Sequence, residues 1–328
     1  MTIKRMITYR SVWMGLAILW IMFFHSDMAL ILPFSYLKVI GYGGVDIFFF
    51  ASGIGNYYSY LKDENPLEFF KRRIFRLIPV YIPVILIWCL FSVMGNQISI
   101  LSVPGNLLGI QGFTTNGGEF SWFFTGILIC YLLTPYFAAF IKKNKMSKNI
   151  LLVLLLIVIS SCFIKDTKFL ISMVRIPIYV IGMLFAKNED YNVRKLAGLW
   201  IGGFVLGNIA LFCSIVYATE HLWDYGLYWY PFILITPFLC WIMSEVSALF
   251  DKNFLKVIPK FITLLGGISF ELFMIHWLVF EMFRDTINSS ANPNLFWVVI
   301  YLASILCAFG FSFIVKSVRK LNKEKKTA

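Results

Sequence analysis

Apolar runs follow one another along almost the whole sequence, and the longest, such as 295–315, match the thickness of a bilayer. Apolar residues make up 59% of the 328 residues and charged residues only 14%, against about 45–50% and about 25% in soluble domains. A soluble enzyme cannot bury that much apolar surface. A disordered chain would not contain 34 Phe, 16 Tyr and 10 Trp residues. The chain must therefore lie mostly in lipid.

The apolar runs indicate membrane-spanning helices rather than the strands of a membrane β-barrel. A spanning helix needs about 20 apolar residues, whereas barrel strands alternate apolar and polar residues over short segments. The sequence thus predicts an all-α, polytopic integral membrane protein with about ten transmembrane helices. The predicted spans are 11–31, 40–60, 77–94, 121–141, 149–164, 169–186, 196–218, 226–248, 261–283 and 294–315.

Lys and Arg residues test this arrangement, because they collect on the cytoplasmic side of membrane proteins. With the N-terminus inside, 24 of the 29 Lys and Arg residues fall on the inner side and four on the outer side. This asymmetry predicts cytoplasmic N- and C-termini and a single transmembrane domain over 1–328, with a cytoplasmic tail at about 317–328. It also accounts for the net charge of +12, so no nucleic-acid partner is expected.

Five ionisable residues lie inside predicted spans, where a charge costs several kcal/mol unless it faces a partner or a cavity. They are His25, Asp46, Arg175, Glu271 and His276. At about 1.5 Å per helical residue, all five fall between the midplane and the outer face. They can pair around a polar cavity, or Asp46 and Arg175 can simply neutralise each other. His25 carries an imidazole, the kind of titratable group that suits proton transfer near neutral pH.

Two further features lie at opposite faces of the predicted bundle. Arg72, Arg73 and Arg76 form a basic cluster at the cytoplasmic mouth of the third span, which suits either phosphate binding or anchoring at lipid headgroups. The outer loop at about 95–120 has no Lys or Arg and is rich in Gly, Asn, Gln, Ser and Thr. Such a loop can meet an uncharged sugar or be merely solvated. Trp122 beside it is a sugar-stacking platform or an interfacial aromatic.

Six segments together resemble the membrane-bound acyltransferase 3 family, whose members O-acylate bacterial surface sugars. The segments occur in order over about 10–315. The strongest are the first helix ending in His25, the GVDIFFFASG stretch at 44–53 and the RRIFRLIPVY stretch at 72–81. The weaker ones are 122–135 with Tyr131, 175–182, and 265–276.

The resemblance implies an enzyme of the bacterial inner (plasma) membrane that moves an acyl group, most often acetyl, to a carbohydrate hydroxyl. Acetyl-CoA or another acyl-CoA is the expected cytoplasmic donor, and no metal is expected. His25 would act as general base or as acyl carrier. Glu271 or Asp46 would orient its imidazole, and Arg175 would stabilise the oxyanion unless it is the counter-ion of Asp46.

The resemblance also implies where the substrates lie. The Arg72, Arg73 and Arg76 cluster would hold the phosphates of CoA, and Trp122, Tyr131 and His276 would lie beside the substrates. Membrane lipid, a carbohydrate acceptor and acyl-CoA are therefore the expected partners. No extracellular hydrolase-like domain, which some relatives carry, is expected within 1–328.

One position departs from the family pattern. The family usually has an arginine where this sequence has Met14, and Arg10 lies one helical turn earlier. Arg10 or another cation can take over that role; otherwise the donor or the rate differs, or activity is lost. Two rival functions fit the buried charges and apolar spans as well: a transporter or flippase for a sugar or lipid-linked sugar, and a non-enzymatic scaffold.

Overall fold

The fold is all-helical throughout the part of the chain that the structure describes. A computed structural model describes residues 1–114, 122–251 and 254–327, and describes side chains throughout these ranges except at 112, 114, 254 and 322–327. Within these ranges there is no β-strand, only an isolated bridge between Thr2 and Asn192. The all-α prediction is confirmed. The last part of the polar outer loop, 115–120, and the side chains at the end of the predicted tail lie outside the described residues.

Sixteen α-helices and five short 3₁₀ helices make up the described ranges. The α-helices are α1 (Ile3–Ile7), α2 (Arg10–His25), α3 (Phe34–Val39), α4 (Gly44–Tyr60), α5 (Pro66–Met94), α6 (Val103–Leu107), α7 (Gln111–Thr114), α8 (Trp122–Lys143), α9 (Met146–Ser161), α10 (Thr167–Met173), α11 (Arg175–Lys187), α12 (Ala197–Tyr217), α13 (Phe232–Phe250), α14 (Val257–Gly267), α15 (Ser269–Asn288) and α16 (Pro293–Thr327). The 3₁₀ helices are Gly41–Gly43, Ile100–Ser102, Val193–Leu196, Thr219–His221 and Phe254–Lys256.

Six helical segments of the described chain are long and apolar enough to cross a membrane, which confirms a multi-pass membrane protein. They are Pro66–Met94, Trp122–Lys143, Thr167–Lys187, Val193–Tyr217, Phe232–Phe250 and Pro293–Leu321. A seventh follows if α14 and α15 count as one broken span. The predicted count of ten and the cytoplasmic position of both termini stay predictions, because α2, α4 and α9 have only 16 or 17 residues each.

Helix α4 lies at the centre of the bundle, where it packs against α2, α8, α11 and α13. Glycines let two of its neighbours come close. A Cβ added at Gly53 would lie 2.0 Å from the Tyr179 carbonyl oxygen of α11, and one added at Gly182 would lie 2.2 Å from the Phe50 carbonyl oxygen. Small residues at such crossings maximise van der Waals contact between membrane helices. The close packing at this crossing therefore fixes the positions of α4 and α11 relative to each other.

The predicted span 261–283 is not one continuous helix. It consists of α14 and α15, which are bent by 75° at Ile268. Two glycines, Gly266 and Gly267, end α14, and glycine is a poor helix former. The bend places Glu271 in the first turn of α15 and sends that helix toward the C-terminal end of α2.

Candidate active site

A pair of histidines lies where the end of α2 meets α15. The Nδ1 atom of His25, the last residue of α2, lies 2.9 Å from the Nε2 atom of His276. The two rings are stacked, with centroids 5.2 Å apart. The Nδ1 atom of His276 in turn lies 3.0 Å from the backbone carbonyl oxygen of Leu272, one turn earlier in α15.

This chain of contacts determines which ring nitrogens carry protons. A carbonyl oxygen only accepts, so His276 Nδ1 must carry the proton and donate it to Leu272. The Nε2 atom of neutral His276 is then an acceptor, and His25 Nδ1 must donate to it. The remaining nitrogen, His25 Nε2, therefore presents a lone pair. His276 is fully buried whereas His25 is partly exposed, so the lone pair belongs to the residue that substrates can approach.

Neither carboxylate expected to orient His25 contacts it among the described residues. Glu271 accepts a hydrogen bond from Ser312 Oγ at 3.4 Å, and Asp46 pairs with Arg175. His276, which the sequence analysis placed beside the substrate, is the residue that holds the His25 imidazole. A Trp277 ring packs edge-on against His25 at 4.8 Å and limits its rotation further.

Asp46 and Arg175 form a buried ion pair. The Arg175 Nε atom lies 3.7 Å from Asp46 Oδ1, and both side chains are almost fully buried. Arg175 Nη1 also donates to the Ile171 carbonyl oxygen at 3.0 Å. Of the two roles that the sequence left open for Arg175, the ion pair with Asp46 is the contact that the structure shows, and stabilisation of an oxyanion stays a prediction.

Two tryptophan rings enclose the Arg175 guanidinium. Its central carbon lies 5.4 Å from the Trp122 ring centroid and 5.0 Å from that of Trp229. Such contacts stabilise a desolvated cation by about 2 kcal/mol. Trp122 is therefore part of the arginine's environment. Trp229 was missed by sequence analysis because it stands in an aromatic-rich segment without any distinguishing spacing.

A cavity of about 270 Å³ lies among α2, α4, α5, α8, α14, α15 and α16. Its two ends differ in chemistry. At the predicted cytoplasmic end it is lined by five cations, Arg10, Arg73, Arg76, Lys316 and Arg319. At the deeper end it is lined by the aromatic rings of Phe48, Phe123 and Phe273.

The basic end only partly matches the predicted cluster. Arg73 and Arg76 line the cavity, but Arg72 does not: it lies exposed on the protein surface and pairs with Asp63. Arg76 is three residues from Arg73 and four from Arg72 on α5, so helical spacing alone does not separate Arg72 from the other two. The Arg72 side chain pairs with Asp63 instead.

Two cations of the basic end come from α16 and were missed by sequence analysis. Lys316 and Arg319 have the same i, i+3 spacing as Arg73 and Arg76. In the sequence they are interpreted only as part of the positive charge on the cytoplasmic side. Arg319 donates to the Arg76 carbonyl oxygen at 2.7 Å, which ties α16 to α5. None of the five cations forms an ion pair with a described carboxylate, and Glu271 is the one carboxylate among the residues that line this cavity.

Arg10 reaches the cavity although Met14 occupies the family's usual arginine position. Both residues line the cavity wall, one helical turn apart on α2. The Arg10 guanidinium lies directly over Gly55 of α4, where an added Cβ would be 2.2 Å from its Nη1 atom. The glycine therefore leaves the space that lets this arginine enter the basic end.

Polar side chains line the middle of the cavity, between the cations and the aromatic rings. They are Ser52, Asn56, Tyr131, Ser269 and Glu271. Tyr131 is buried and its ring packs edge-on against Phe69, over which the Arg73 guanidinium lies at 5.4 Å. Tyr131 thus belongs to the cavity, on the side of the cations.

A single aromatic residue connects the cavity to the histidines. Phe273 lines the cavity, packs against Phe123 with ring centroids 4.4 Å apart, and lies 5.7 Å from the His276 ring. His25 is not among the residues lining this cavity. The cluster of Phe48, Phe123 and Phe273 therefore separates the cavity from the histidine pair.

A polar network covers the opposite side of His25. Arg284 of α15 donates to Asp27 at 2.6 Å, to Glu281 at 3.0 Å and to the His25 carbonyl oxygen at 3.4 Å. Partial burial on its own raises the pKa of Asp27. Hydrogen bonds from Asn288 and Arg284, together with the guanidinium charge, outweigh burial and hold that pKa below its ordinary value. Within the described residues, no group of three or more His, Cys, Asp or Glu side chains is arranged to hold a metal ion.

The family match agrees with this arrangement. A family model described as an acyltransferase domain, that of acyltransferase 3, matches residues 13–314. The chain belongs to the acyltransferase 3 family. The match begins at Trp13 in α2 and ends at Ile314 in α16, so it includes both histidines, Arg73 and Arg76, but not Arg10, Lys316 or Arg319.

The chain is also similar to curated proteins named O-acetyltransferase OatA from Staphylococcus aureus. In strains NCTC 8325 / PS 47, COL and MRSA252 the identity is 23% over 322 residues, covering 85% of this chain and 53% of each relative. The chain therefore spans about half the length of the curated relatives it matches. No solved structure matches the chain at a significant level.

Proposed function

We propose that this chain transfers an acyl group, acetyl in the first instance, from acyl-CoA to a hydroxyl of a carbohydrate in the bacterial plasma membrane or beyond it. The observation that carries the proposal is the contact of His25 with His276. It leaves a lone pair on Nε2 of a partly exposed imidazole in a member of an acyltransferase family. An imidazole nitrogen with a free lone pair can accept the proton of a hydroxyl as a general base.

The cavity supports CoA as the donor. Its basic end presents five cations without described carboxylate partners, and CoA carries a diphosphate and a 3′-phosphate at one end of a long thin molecule. Guanidinium groups bind phosphates by charge-assisted hydrogen bonds. With the phosphates at Arg73 and Arg76, the rest of the donor runs inward along α4 toward Phe48.

His25 alone can carry the proton from the acceptor hydroxyl to the leaving thiolate. The Nε2 lone pair takes the proton of the acceptor hydroxyl, whose oxygen attacks the thioester carbonyl carbon. The carbon–sulfur bond then breaks, and the thiolate of CoA leaves with the proton from His25. His276 keeps the His25 imidazole in the required tautomer, so it is a positioning residue. For transfer to occur, the Phe273 ring must turn aside from its place between the cavity and the histidine pair.

A second route uses the same lone pair as a nucleophile. His25 Nε2 attacks the thioester first, CoA leaves, and the acyl group then passes from the imidazole to the hydroxyl. Rapid mixing distinguishes the two routes. A burst of thiol release in the absence of acceptor indicates an acyl-histidine, and its absence indicates general-base catalysis.

Transfer to an oxygen is supported by the similarity to proteins named O-acetyltransferase OatA, and a carbohydrate is the acceptor that the family resemblance implies. The position of His25 agrees with an acceptor that approaches from the side opposite the basic end. Its helix α2 begins at Arg10 in the cavity and ends at His25, about 22 Å away at 1.5 Å per residue. Donor phosphates and acceptor hydroxyl thus approach from opposite ends of the bundle.

The decisive experiment measures thiol release from acetyl-CoA by purified protein in lipid vesicles, with and without candidate sugars. We expect release by the wild type and none by His25→Ala, whose insertion and CoA binding remain intact. Equal release by both proteins would overturn the role of His25. Absence of both CoA binding and turnover in folded wild-type protein would reject the donor and favour transport of a sugar or lipid-linked sugar, which flux measurements would then test.

A further inference from the structure

A chain of hydrogen bonds behind the cavity wall orients the side-chain amide of Asn56. The Thr134 hydroxyl donates to the Cys130 carbonyl oxygen at 2.7 Å, and Thr134 Oγ1 lies 2.5 Å from the Tyr179 hydroxyl. The Asn56 amide nitrogen lies 2.9 Å from the same Tyr179 hydroxyl. All three side chains are buried.

Counting protons along this chain leaves one arrangement. The Cys130 carbonyl oxygen can only accept, so Thr134 donates its single hydroxyl proton to that oxygen. Tyr179 must then donate its own proton to Thr134, and its oxygen is left as an acceptor toward Asn56. Asn56 therefore turns its NH₂ group to Tyr179. Its carbonyl oxygen, Oδ1, must point away from that chain.

The oxygen that remains, Asn56 Oδ1, has no hydrogen-bond partner among the described residues, because the hydrogen bond of this side chain runs from its amide nitrogen to Tyr179. Asn56 lines the cavity but is only 2% exposed overall. Together with Gly55, Ser52 and Phe48 it lies on the α4 face that lines the cavity. Asn56 is about 12 Å from Phe48 along the helix axis, between the cations and the aromatic end.

We propose that Asn56 Oδ1 accepts a hydrogen bond from an amide N–H of the donor, and so selects a thioester carried on an amide-bearing pantetheine arm. This inference rests on the proposed function. In CoA the segment between the phosphates and the sulfur is pantetheine, which contains two secondary amides. An amide N–H that enters a buried cavity must find an acceptor or lose affinity. Acyl phosphates and acyl lipids without amides have no group to offer Asn56.

The first test leaves the protein unchanged and alters the donor. Each amide N–H of acetyl-CoA is replaced in turn by an ester oxygen, and the affinity of wild-type protein for each analogue is compared with that for acetyl-CoA. We expect one of the two replacements to weaken binding about 10-fold. Equal affinity for acetyl-CoA and both analogues would overturn the inference while leaving the proposed function intact.

The second test uses two variants with the same analogues. In Asn56→Leu the acceptor is gone, so acetyl-CoA binds about 10-fold more weakly and the sensitive ester analogue suffers no further loss. In Arg73→Ala the penalty for the ester replacement persists, because that side chain acts on phosphate. An undiminished ester penalty in folded Asn56→Leu would overturn the inference.

The third test changes the orientation of the Asn56 amide by substituting a residue that does not line the cavity. Thr134→Val removes the acceptor for the Tyr179 proton, so Tyr179 donates to Asn56 Oδ1 and the amide turns its NH₂ group to the cavity. We expect about 10-fold weaker acetyl-CoA binding with a smaller ester penalty. If the ester replacement weakens binding to this variant as much as it weakens binding to the wild type, the hydrogen-bond arrangement inferred for Asn56 is overturned. Failure of wild-type protein to bind acetyl-CoA at all would instead overturn the proposed donor, and this inference with it.

Discussion

His25 Nδ1 lies 2.9 Å from His276 Nε2, and the two residues are 251 positions apart in the chain. Because His276 gives its own proton to the Leu272 carbonyl, the two imidazoles share a single N–H between them. A positive charge on His276 would remove the acceptor that His25 Nδ1 needs. The pair is therefore built to keep His276 neutral and to leave any added proton on the exposed Nε2 atom of His25.

Replacing His276 tests this arrangement without touching the donor cavity. His276→Leu removes the acceptor for His25 Nδ1, so the imidazole can take the wrong tautomer, and we expect kcat to fall by about 100-fold. His276→Gln offers an amide oxygen at a similar place and should keep more of the activity. The affinity for CoA should be unchanged in both variants. If both variants lose activity equally, or neither does, His276 does not set the tautomer.

Helix α5 provides a matched set of three arginines, two at the basic end of the cavity and one outside it. Arg73→Ala and Arg76→Ala each remove a cation that lines the cavity, so the affinity for acetyl-CoA should fall about 10-fold or more in each. Arg72→Ala removes a surface charge paired with Asp63 and serves as the control. Direct binding of labelled CoA measures all three. An equal loss in Arg72→Ala would point to general surface charge rather than to the cavity.

Two glycines, two positions apart on α4, should respond differently to alanine. Gly55→Ala places a methyl group against the flexible end of Arg10, so we expect about 5-fold weaker CoA binding with stability retained. Gly53→Ala places it 2.0 Å from the Tyr179 backbone oxygen, and we expect a loss of about 1–3 kcal/mol of stability. Thermal unfolding in detergent and CoA binding measure both effects. The opposite pattern would show that Arg10 does not use the space above Gly55.

The aromatic end of the cavity should govern acyl chain length. Phe273→Leu shortens the side chain between the cavity and His276, so the kcat/KM ratio of butyryl-CoA to acetyl-CoA should rise about 10-fold. Phe270→Leu is the matched control, since Phe270 lines the same cavity outside the three-ring cluster. A similar rise in the control, or none in Phe273→Leu, would remove Phe273 from chain-length selection.

The outer network predicts a stability loss in acid. The pKa of Asp27 is held below its ordinary value in the folded protein, so its contribution is complete above that ordinary value and lost as pH falls through the lowered one. Since Asp27 and Arg284 are both partly exposed, the contribution is about 1 kcal/mol or less.

The measurement is the thermal midpoint between pH 7 and pH 3. Asp27→Asn should lower the thermal midpoint at neutral pH and make the midpoint fall less steeply in acid. Glu220→Gln, which removes an exposed carboxylate, is the control and should have neither effect. An identical acid response in Asp27→Asn and wild type would show that another group governs it.

Much of the fold follows from local sequence, because the burial of a 20-residue apolar segment in lipid depends on that segment alone. Every predicted span overlaps a helix of the described chain, although 26–31 and 226–231 lie outside helices. The break of 261–283 at Ile268 follows two adjacent glycines. The i, i+3 spacing of Arg73 and Arg76 placed these two arginines on one face, but the predicted cluster also included Arg72, which does not line the cavity. The same spacing in Lys316 and Arg319 would have indicated two more cations of the cavity.

By itself, the sequence determined that the chain is a helical membrane protein, that it belongs with acyltransferases, and which ionisable groups must find partners away from lipid. Only the tertiary structure decided the pairings: His25 with His276 rather than with Glu271 or Asp46, and Arg175 with Asp46 between two tryptophans. The reason is physical. Apolarity and helix spacing are properties of neighbouring residues, whereas a proton or an ion pair is shared between helices whose contact depends on how the whole bundle packs.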